Sequence, residues 1–174
     1  MTLLAKENIL LIMEVPKNSQ DGLELGLNSI HLQKLAAYCQ KNFVQVIPCD
    51  KIISYEMLPK MQFIINLSDS RSQGSHWIAP TIHENYVIYF DSFGEKCKNK
   101  WILTKFKNSC LIQSNKQIQD YSSIMCGYFS LSFLIEDSNG KTLEEYLNFF
   151  GSDLLDNYKK CVSIITNHIK NSSD

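Results

Sequence analysis

The sequence predicts an α+β fold: a mainly antiparallel central sheet, a central helix that begins close to Cys126, and further helices packed around them. The middle of the chain holds short runs of β-branched and aromatic residues separated by polar breaks, which is typical of strands. Apolar residues at helical spacing flank this region on both sides, at 29–42 and 142–170. The length of 174 residues favours one domain with one core over residues 1–174.

The first helix is predicted to begin at Ser29, which can cap it, and to end near Asn42. Residues 1–28 form an N-terminal extension, in which a polar, glycine-bearing stretch follows an ambiguous apolar run at 9–15. The helix is indicated by four apolar positions at helical spacing: Leu32, Leu35, Ala36 and Cys39.

Five segments are predicted as strands: 43–47, 63–67, 76–79, 86–90 and 110–113. Residues 83–85 form a plausible turn between the third and fourth segments. In such a hairpin, His76 and Asp91 lie at the same end, where an imidazole and a carboxylate can meet.

The nucleophile helix is predicted to begin close to Cys126, with Ser122 and Ser123 available as caps, and to end within 137–140. A capping-box pattern at Thr142 and Glu145 starts a short helix that ends at Gly151. The last helix is amphipathic. We divide the domain into a catalytic core at 43–134 and C-terminal helices at 142–170.

The charge pattern does not favour a nucleic-acid protein, because the net charge is −1 and Arg71 is the single arginine. Five lysines fall within twelve residues, and we expect them to form a solvated helix face: Lys96, Lys98, Lys100, Lys105 and Lys107.

The six cysteines do not suggest disulfides or a metal site. No signal peptide is evident, so a reducing compartment is expected, and none of the spacings forms a Cys-x-x-Cys zinc motif. The apolar run at 9–13 is too short to span a membrane. We expect five cysteines to be small buried hydrophobes: Cys39, Cys49, Cys97, Cys110 and Cys161.

The sixth, Cys126, completes a set suited to thiol catalysis. A cysteine nucleophile needs an imidazole base, an acid that orients the imidazole, and donors for the oxyanion. His76, Asp91 and Gln119 supply these parts in the order His, Asp, Gln, Cys. A helix N-terminus at Cys126 favours the thiolate.

Each member of this set also has a purely structural interpretation. His31, His83 and His168 compete with His76 for the role of base, Asp91 could simply start a turn, and Gln119 could be a solvated loop residue, with Asn115 and Gln117 as weaker alternatives. Trp77 could be a core residue. Gly127 leaves room for close backbone approach.

Three elements carry a resemblance to a known family: Gly74-Ser75-His76-Trp77, then Tyr89-Phe90-Asp91-Ser92-Phe93-Gly94, then a glutamine seven residues before Cys126-Gly127. The sequence resembles the adenovirus maturation proteases, which share ancestry of fold with SUMO-specific proteases. The resemblance covers roughly 43–134. Asp91 stands where the adenovirus enzymes carry Glu, whereas SUMO proteases use Asp there. The seven-residue spacing favours the viral branch, and virophage or Polinton proteases are the nearest match.

The resemblance implies a cysteine endopeptidase that cleaves viral capsid or scaffold precursors in the virion, or in the host cytoplasm or virus factory. It implies that Trp77 flanks the imidazole and narrows the substrate cleft, that cleavage occurs next to small residues, and that Gly127 borders the substrate. An activating peptide is possible, nucleic acid is not expected, and no cofactor, metal or membrane is implied. Three alternatives remain open: a deconjugase of ubiquitin-like proteins, an acyltransferase, and a non-catalytic capsid-associated binding module.

Overall fold

The computed structural model describes residues 27–39 and 44–171; the apolar run at 9–15 lies outside this range. A short 3-10 helix at Cys49–Ser54 follows the first strand. The strands are β1 (Val44–Pro48), β2 (Gln62–Asn66), β3 (Trp77–Ile82), β4 (Tyr86–Phe90) and β5 (Cys110–Gln113), and the helices are α1 (Ser29–Cys39), α2 (Lys100–Lys105), α3 (Cys126–Ser138), α4 (Leu143–Asn148) and α5 (Leu154–Asn171).

One five-stranded sheet runs in the order β1-β2-β3-β4-β5. The central strand β3 is antiparallel to both β2 and β4, while β1 joins β2 and β5 joins β4 in parallel. The predicted α+β class is confirmed. All five predicted strands are present, and β3 extends three residues beyond the predicted end at Ala79.

Side chains alternate between the two faces of the sheet, as the pleat requires. Ile64 and Phe90 point to the face that α1, α3, α4 and α5 cover. Phe63, Ile65 and Tyr89 point to the opposite face, where α2 and the 3-10 helix pack. The sheet therefore has a core on each side.

Helix α3 runs through the larger core and is buried at every position from Cys126 to Glu136. One of its hydroxyls finds a partner inside the protein: the Ser132 Oγ lies 2.6 Å from the Tyr146 hydroxyl on α4. The capping box predicted at Thr142 and Glu145 is present at the start of α4. A helix enclosed in this way holds its first residue, Cys126, at a fixed point relative to the sheet.

The outer edge of β1 is covered by a side chain of α1. Gln33 donates its Nε2 to the Val44 carbonyl at 3.2 Å and accepts the Val46 N–H at 3.1 Å. The Gln33 amide thus takes the place that the backbone of another strand would occupy.

The structure corrects the predictions for the lysines and for one cysteine. The lysines do not form one helix face, because only Lys100 and Lys105 belong to α2, and the Lys105 ammonium donates to the carbonyls of Ile53 and Tyr55. Cys110 is exposed rather than buried, because it opens β5, a short edge strand whose alternate residues face solvent. The other four structural cysteines are buried.

Within residues 27–39 and 44–171, no helix combines the length and apolar character needed to cross a membrane. The same residues contain no cluster of three or more His, Cys, Asp or Glu side chains that could hold a metal ion.

Candidate active site

The β3-β4 hairpin brings His76 and Asp91 together. The His83 N–H donates to the Tyr86 carbonyl at 2.9 Å and closes the turn, so the residue before β3 lies beside the residue after β4. The His76 Nε2 lies 2.8 Å from Asp91 Oδ1. The hairpin geometry predicted from the sequence is therefore observed.

Asp91 also starts a tight turn, as its structural interpretation predicted, and its role as the orienting acid stays a prediction. Its Oδ1 accepts the Phe93 N–H at 2.8 Å, and its carbonyl accepts the Gly94 N–H at 2.9 Å. Ser114 fixes the backbone of Asp91, since its hydroxyl accepts the Asp91 N–H and donates to the Asp91 carbonyl, each at 2.8 Å. The carboxylate is thus held in place from two sides.

Asn66 anchors the loop that leads into His76. Its Oδ1 accepts the N–H groups of Ser68 at 2.9 Å and Ser75 at 3.0 Å, which closes the loop at its base. The Leu67 N–H donates to the His76 carbonyl at 2.9 Å. The position of the imidazole therefore depends on β2 as well as on the hairpin.

Cys126 is the first residue of α3 and is 5% exposed. Its Sγ accepts the backbone N–H of Trp77 at 3.4 Å. The N-cap is Met125, which makes no side-chain capping hydrogen bond, so the predicted capping by Ser122 or Ser123 is wrong. Ser123 instead accepts the Met125 N–H at 3.3 Å. The first amides of the helix lack intrahelical partners and favour negative charge at Cys126.

The environment of His76 favours its protonated form. Burial lowers its pKa, but the hydrogen bond with Asp91 and the interaction with the Cys126 sulfur outweigh this effect and raise the pKa to about 9. Because Nε2 is bonded to Asp91, Nδ1 is the ring nitrogen that can exchange a proton with Cys126.

Gln119 lies on the loop before α3 with its side-chain amide held at both ends. Its Oε1 accepts the Ser92 hydroxyl at 2.6 Å, and its Nε2 donates to the Ser123 carbonyl at 2.9 Å. It is 1% exposed, so it is not a solvated loop residue. A primary amide carries two hydrogens, and the second is the one that an oxyanion would use. The oxyanion role of Gln119 stays a prediction.

A cleft of about 770 Å³ contains His76, Trp77 and Cys126 in its lining, whereas Asp91 and Gln119 are not among its lining residues. Trp77 is half-buried, lines this cleft and also packs against the larger core, while its role in narrowing the cleft for substrate stays a prediction. Gly127 is buried, and a Cβ there would meet Leu27 and Leu32 at 3.4–3.6 Å. The structure thus places Gly127 against α1 and its neighbouring loop, and its contact with substrate stays a prediction.

Sequence reasoning missed two aromatic residues at the site. Phe93 stacks on His76 with ring centroids 4.3 Å apart and planes 13° apart, and Tyr121 packs on Phe93 at 4.6 Å. Phe93 belongs to the Tyr89–Gly94 element recognised in the sequence, but its place against the imidazole was not predicted, and Tyr121 was not singled out.

The remaining histidines and cysteines have other surroundings. His83 lies 3.2 Å from Asp137 at the far end of the hairpin, and His31 is exposed. Burial raises the pKa of both Cys39 and Cys161 to about 12, which keeps these thiols protonated.

Comparisons with known proteins give a structural match alone. No protein-family model and no curated protein matches the chain. Nine chains of solved structures match, and one of them is SUMO protease Ulp1 with its catalytic cysteine oxidised to a sulfonic acid. The two share 14% sequence identity with a TM-score of 0.51, over 99% of this chain and 97% of that chain. This protein has the fold of a SUMO protease. The fold relationship implied by the sequence resemblance is therefore confirmed.

Proposed function

We propose that the protein is a cysteine endopeptidase with Cys126 as nucleophile, His76 as base and Asp91 as the orienting acid. One observation carries the proposal: His76, whose imidazole lies 2.8 Å from the Asp91 carboxylate, lines the same cleft as Cys126, the first residue of a buried helix. A cleft of this size also admits a peptide segment.

In the first half of the reaction, His76 Nδ1 takes the Cys126 proton and the thiolate attacks a peptide carbonyl carbon. Asp91 holds the imidazole tautomer and stabilises the imidazolium, as the raised pKa of His76 indicates. The negative charge on the carbonyl oxygen is met by the Cys126 backbone amide and by the Gln119 side chain.

The intermediate collapses when the carbon–nitrogen bond breaks and His76 returns its proton to the leaving amine. Water then enters, His76 takes one of its protons, and the hydroxide attacks the thioester carbon. Departure of the Cys126 sulfur releases the carboxylic acid and restores the starting enzyme.

The proposed substrates are capsid or scaffold precursor proteins, cut during virion maturation in the virion or virus factory. The sequence resemblance supports this choice through the His-Trp element, the Asp91 element and the seven-residue spacing of Gln119 and Cys126. Because Trp77 lines the cleft next to Cys126, we expect glycine or alanine before the scissile bond.

A second candidate is a deconjugase of ubiquitin-like proteins, which would use the same residues. The likeness of the whole fold to a SUMO protease favours this candidate. The two activities differ in what lies outside the cleft, because a deconjugase must also bind a folded modifier over a broad surface.

Activity is tested with a thiol-reactive peptide probe and with variants. A Cys110→Ser background removes the exposed cysteine, so that labelling reports on Cys126. Labelling should disappear in Cys126→Ala and His76→Ala, which also lose proteolysis while keeping their fold, whereas Asp91→Asn should be milder. His83→Ala is the matched control, since His83 also contacts an aspartate but lies outside the cleft. Turnover by Cys126→Ala at the wild-type rate would overturn the mechanism.

Substrate class is tested by incubating the purified chain with candidate capsid precursors and, separately, with SUMO and ubiquitin conjugates. Mass spectrometry of new termini then locates each cut. New termini within precursors support the endopeptidase, and release of intact modifier alone supports the deconjugase.

A further inference from the structure

The His76 imidazole is covered on one face by an aromatic ring. Phe93 stacks on it nearly in parallel, at 4.3 Å between centroids. The imidazole cannot rotate out of its plane without displacing the Phe93 ring. This contact is separate from the hydrogen bond to Asp91, which uses the ring edge.

Phe93 is itself held firmly. Its N–H donates to Asp91 Oδ1, the same oxygen that binds His76, so one carboxylate oxygen aligns both rings. Gly94 follows it with φ +69°, which fixes the turn. On its other side Phe93 is covered by Tyr121, which is 58% exposed while Phe93 is half-buried.

We propose that Phe93 is a positioning residue for His76: it fixes the plane of the imidazole and stabilises the imidazolium, and Tyr121 shields it from solvent. The inference rests on the proposed function, in which His76 is the base. An aromatic face is electron-rich and attracts a stacked cation, so the Phe93 ring favours the charged imidazole over the neutral one.

The charged and titratable groups near His76 bind its ring nitrogens and do not stack on its face. Asp91 at the end of β4 occupies Nε2, and Cys126 at the start of α3 is the partner of Nδ1. The Tyr121 hydroxyl, on the loop before α3, is the remaining titratable group of the stack. Phe93 is uncharged and competes for neither ring nitrogen.

The test follows the His76 imidazole directly, by NMR titration of the full-length protein in a Cys126→Ala background. Phe93→Leu should lower the titration midpoint of His76 by about half to one unit, in line with loss of a cation–π contact. Phe93→Tyr keeps the ring and should restore the midpoint. Phe149→Leu is the matched control. Phe149 also contacts an aromatic ring, that of Phe150, but it lies at the C-terminal end of α4.

In the active protein, Phe93→Leu should lower kcat/KM by about 3- to 30-fold and shift the high-pH limb of its profile to lower pH. Tyr121→Ala should act in the same direction with a smaller effect, and it serves as the second variant if Phe93→Leu does not fold. Midpoints and profiles in both variants equal to those of Phe149→Leu would overturn the inference. The NMR titration needs no peptidase activity, so the two proposals can fail separately. An inactive wild type would overturn the proposed function. An unshifted His76 midpoint in Phe93→Leu would overturn the positioning role of Phe93.

Discussion

The Ser92 hydroxyl donates a 2.6 Å hydrogen bond to the side-chain oxygen of Gln119. Ser92, the residue after Asp91, therefore sets which way the Gln119 amide faces. Backbone hydrogen bonds join the same two segments, since the N–H groups of Ile118 and Gln119 both donate to the Ser92 carbonyl, at 2.9 and 3.2 Å. The segment after β4 and the loop before α3 are therefore held together by both side-chain and backbone hydrogen bonds.

Gln119→Ala should lower turnover by about a hundredfold or more, because it removes one oxyanion donor, while substrate affinity changes little. Steady-state kinetics with a peptide substrate is the measurement. Gln117→Ala is the control and should do much less, since its side chain donates to the Gln119 carbonyl. If Gln117→Ala had the larger effect, the assignment of the oxyanion donor to Gln119 would be wrong.

Trp77→Ala should relax the preference for glycine or alanine before the scissile bond and weaken catalysis, because the cleft widens beside Cys126. A peptide-library profile of wild type and variant is the measurement. Equal cleavage after Leu or Phe by the wild type would exclude a narrow cleft. Trp101→Ala is a suitable comparison, since Trp101 packs on the opposite face of the sheet.

The free energy of unfolding should depend on pH through His76. Its pKa is raised from 6.5 to about 9 in the folded protein, so between these values the folded state keeps a proton that the unfolded state releases. The stabilisation is fully present below pH 6.5 and is lost as the pH rises through 9.

Asp91→Asn removes the partner that raises this pKa. Wild type should exceed the variant in unfolding free energy by on the order of 2 kcal/mol at pH 6, and the difference should shrink towards pH 10. Urea unfolding across this range measures it. A difference that is constant with pH would contradict the prediction.

Gly94→Ala should destabilise the protein by at least about 2 kcal/mol, because alanine is strained in the left-handed region and its Cβ would lie against backbone. The added Cβ would stand 2.6 Å from the Lys116 carbonyl carbon. Gly151→Ala is the matched control, since a Cβ there meets nothing within 4 Å. Thermal melting of the two variants compares them, and equal melting temperatures would show that the turn tolerates a side chain.

Much of the site could be predicted because its parts are close in sequence. The His76–Asp91 contact follows from the length of one hairpin, and the start of α3 at Cys126 follows from the apolar pattern after it. Strand periodicity also predicted β4 and β5 at their observed bounds.

What could not be predicted depends on long-range contacts. The stack of Tyr121 on Phe93 joins two loops, and the Asn66 anchor reaches from β2 to the loop before β3, so neither leaves a periodic signal. Cys110 was assigned to the interior because cysteine is commonly buried, but strand order decides exposure, and β5 is an edge. Strand order is a property of the assembled sheet.

Edge strands invite association between molecules, because their unpaired N–H and C=O groups can template another chain. At β1 this hazard is suppressed within the molecule. The Gln33 side chain already satisfies the outward groups of Val44 and Val46, and Pro48 has no N–H to offer. The β1 edge therefore resists edge-to-edge aggregation. Gln33→Ala would leave the Val44 carbonyl and the Val46 N–H without this side-chain partner.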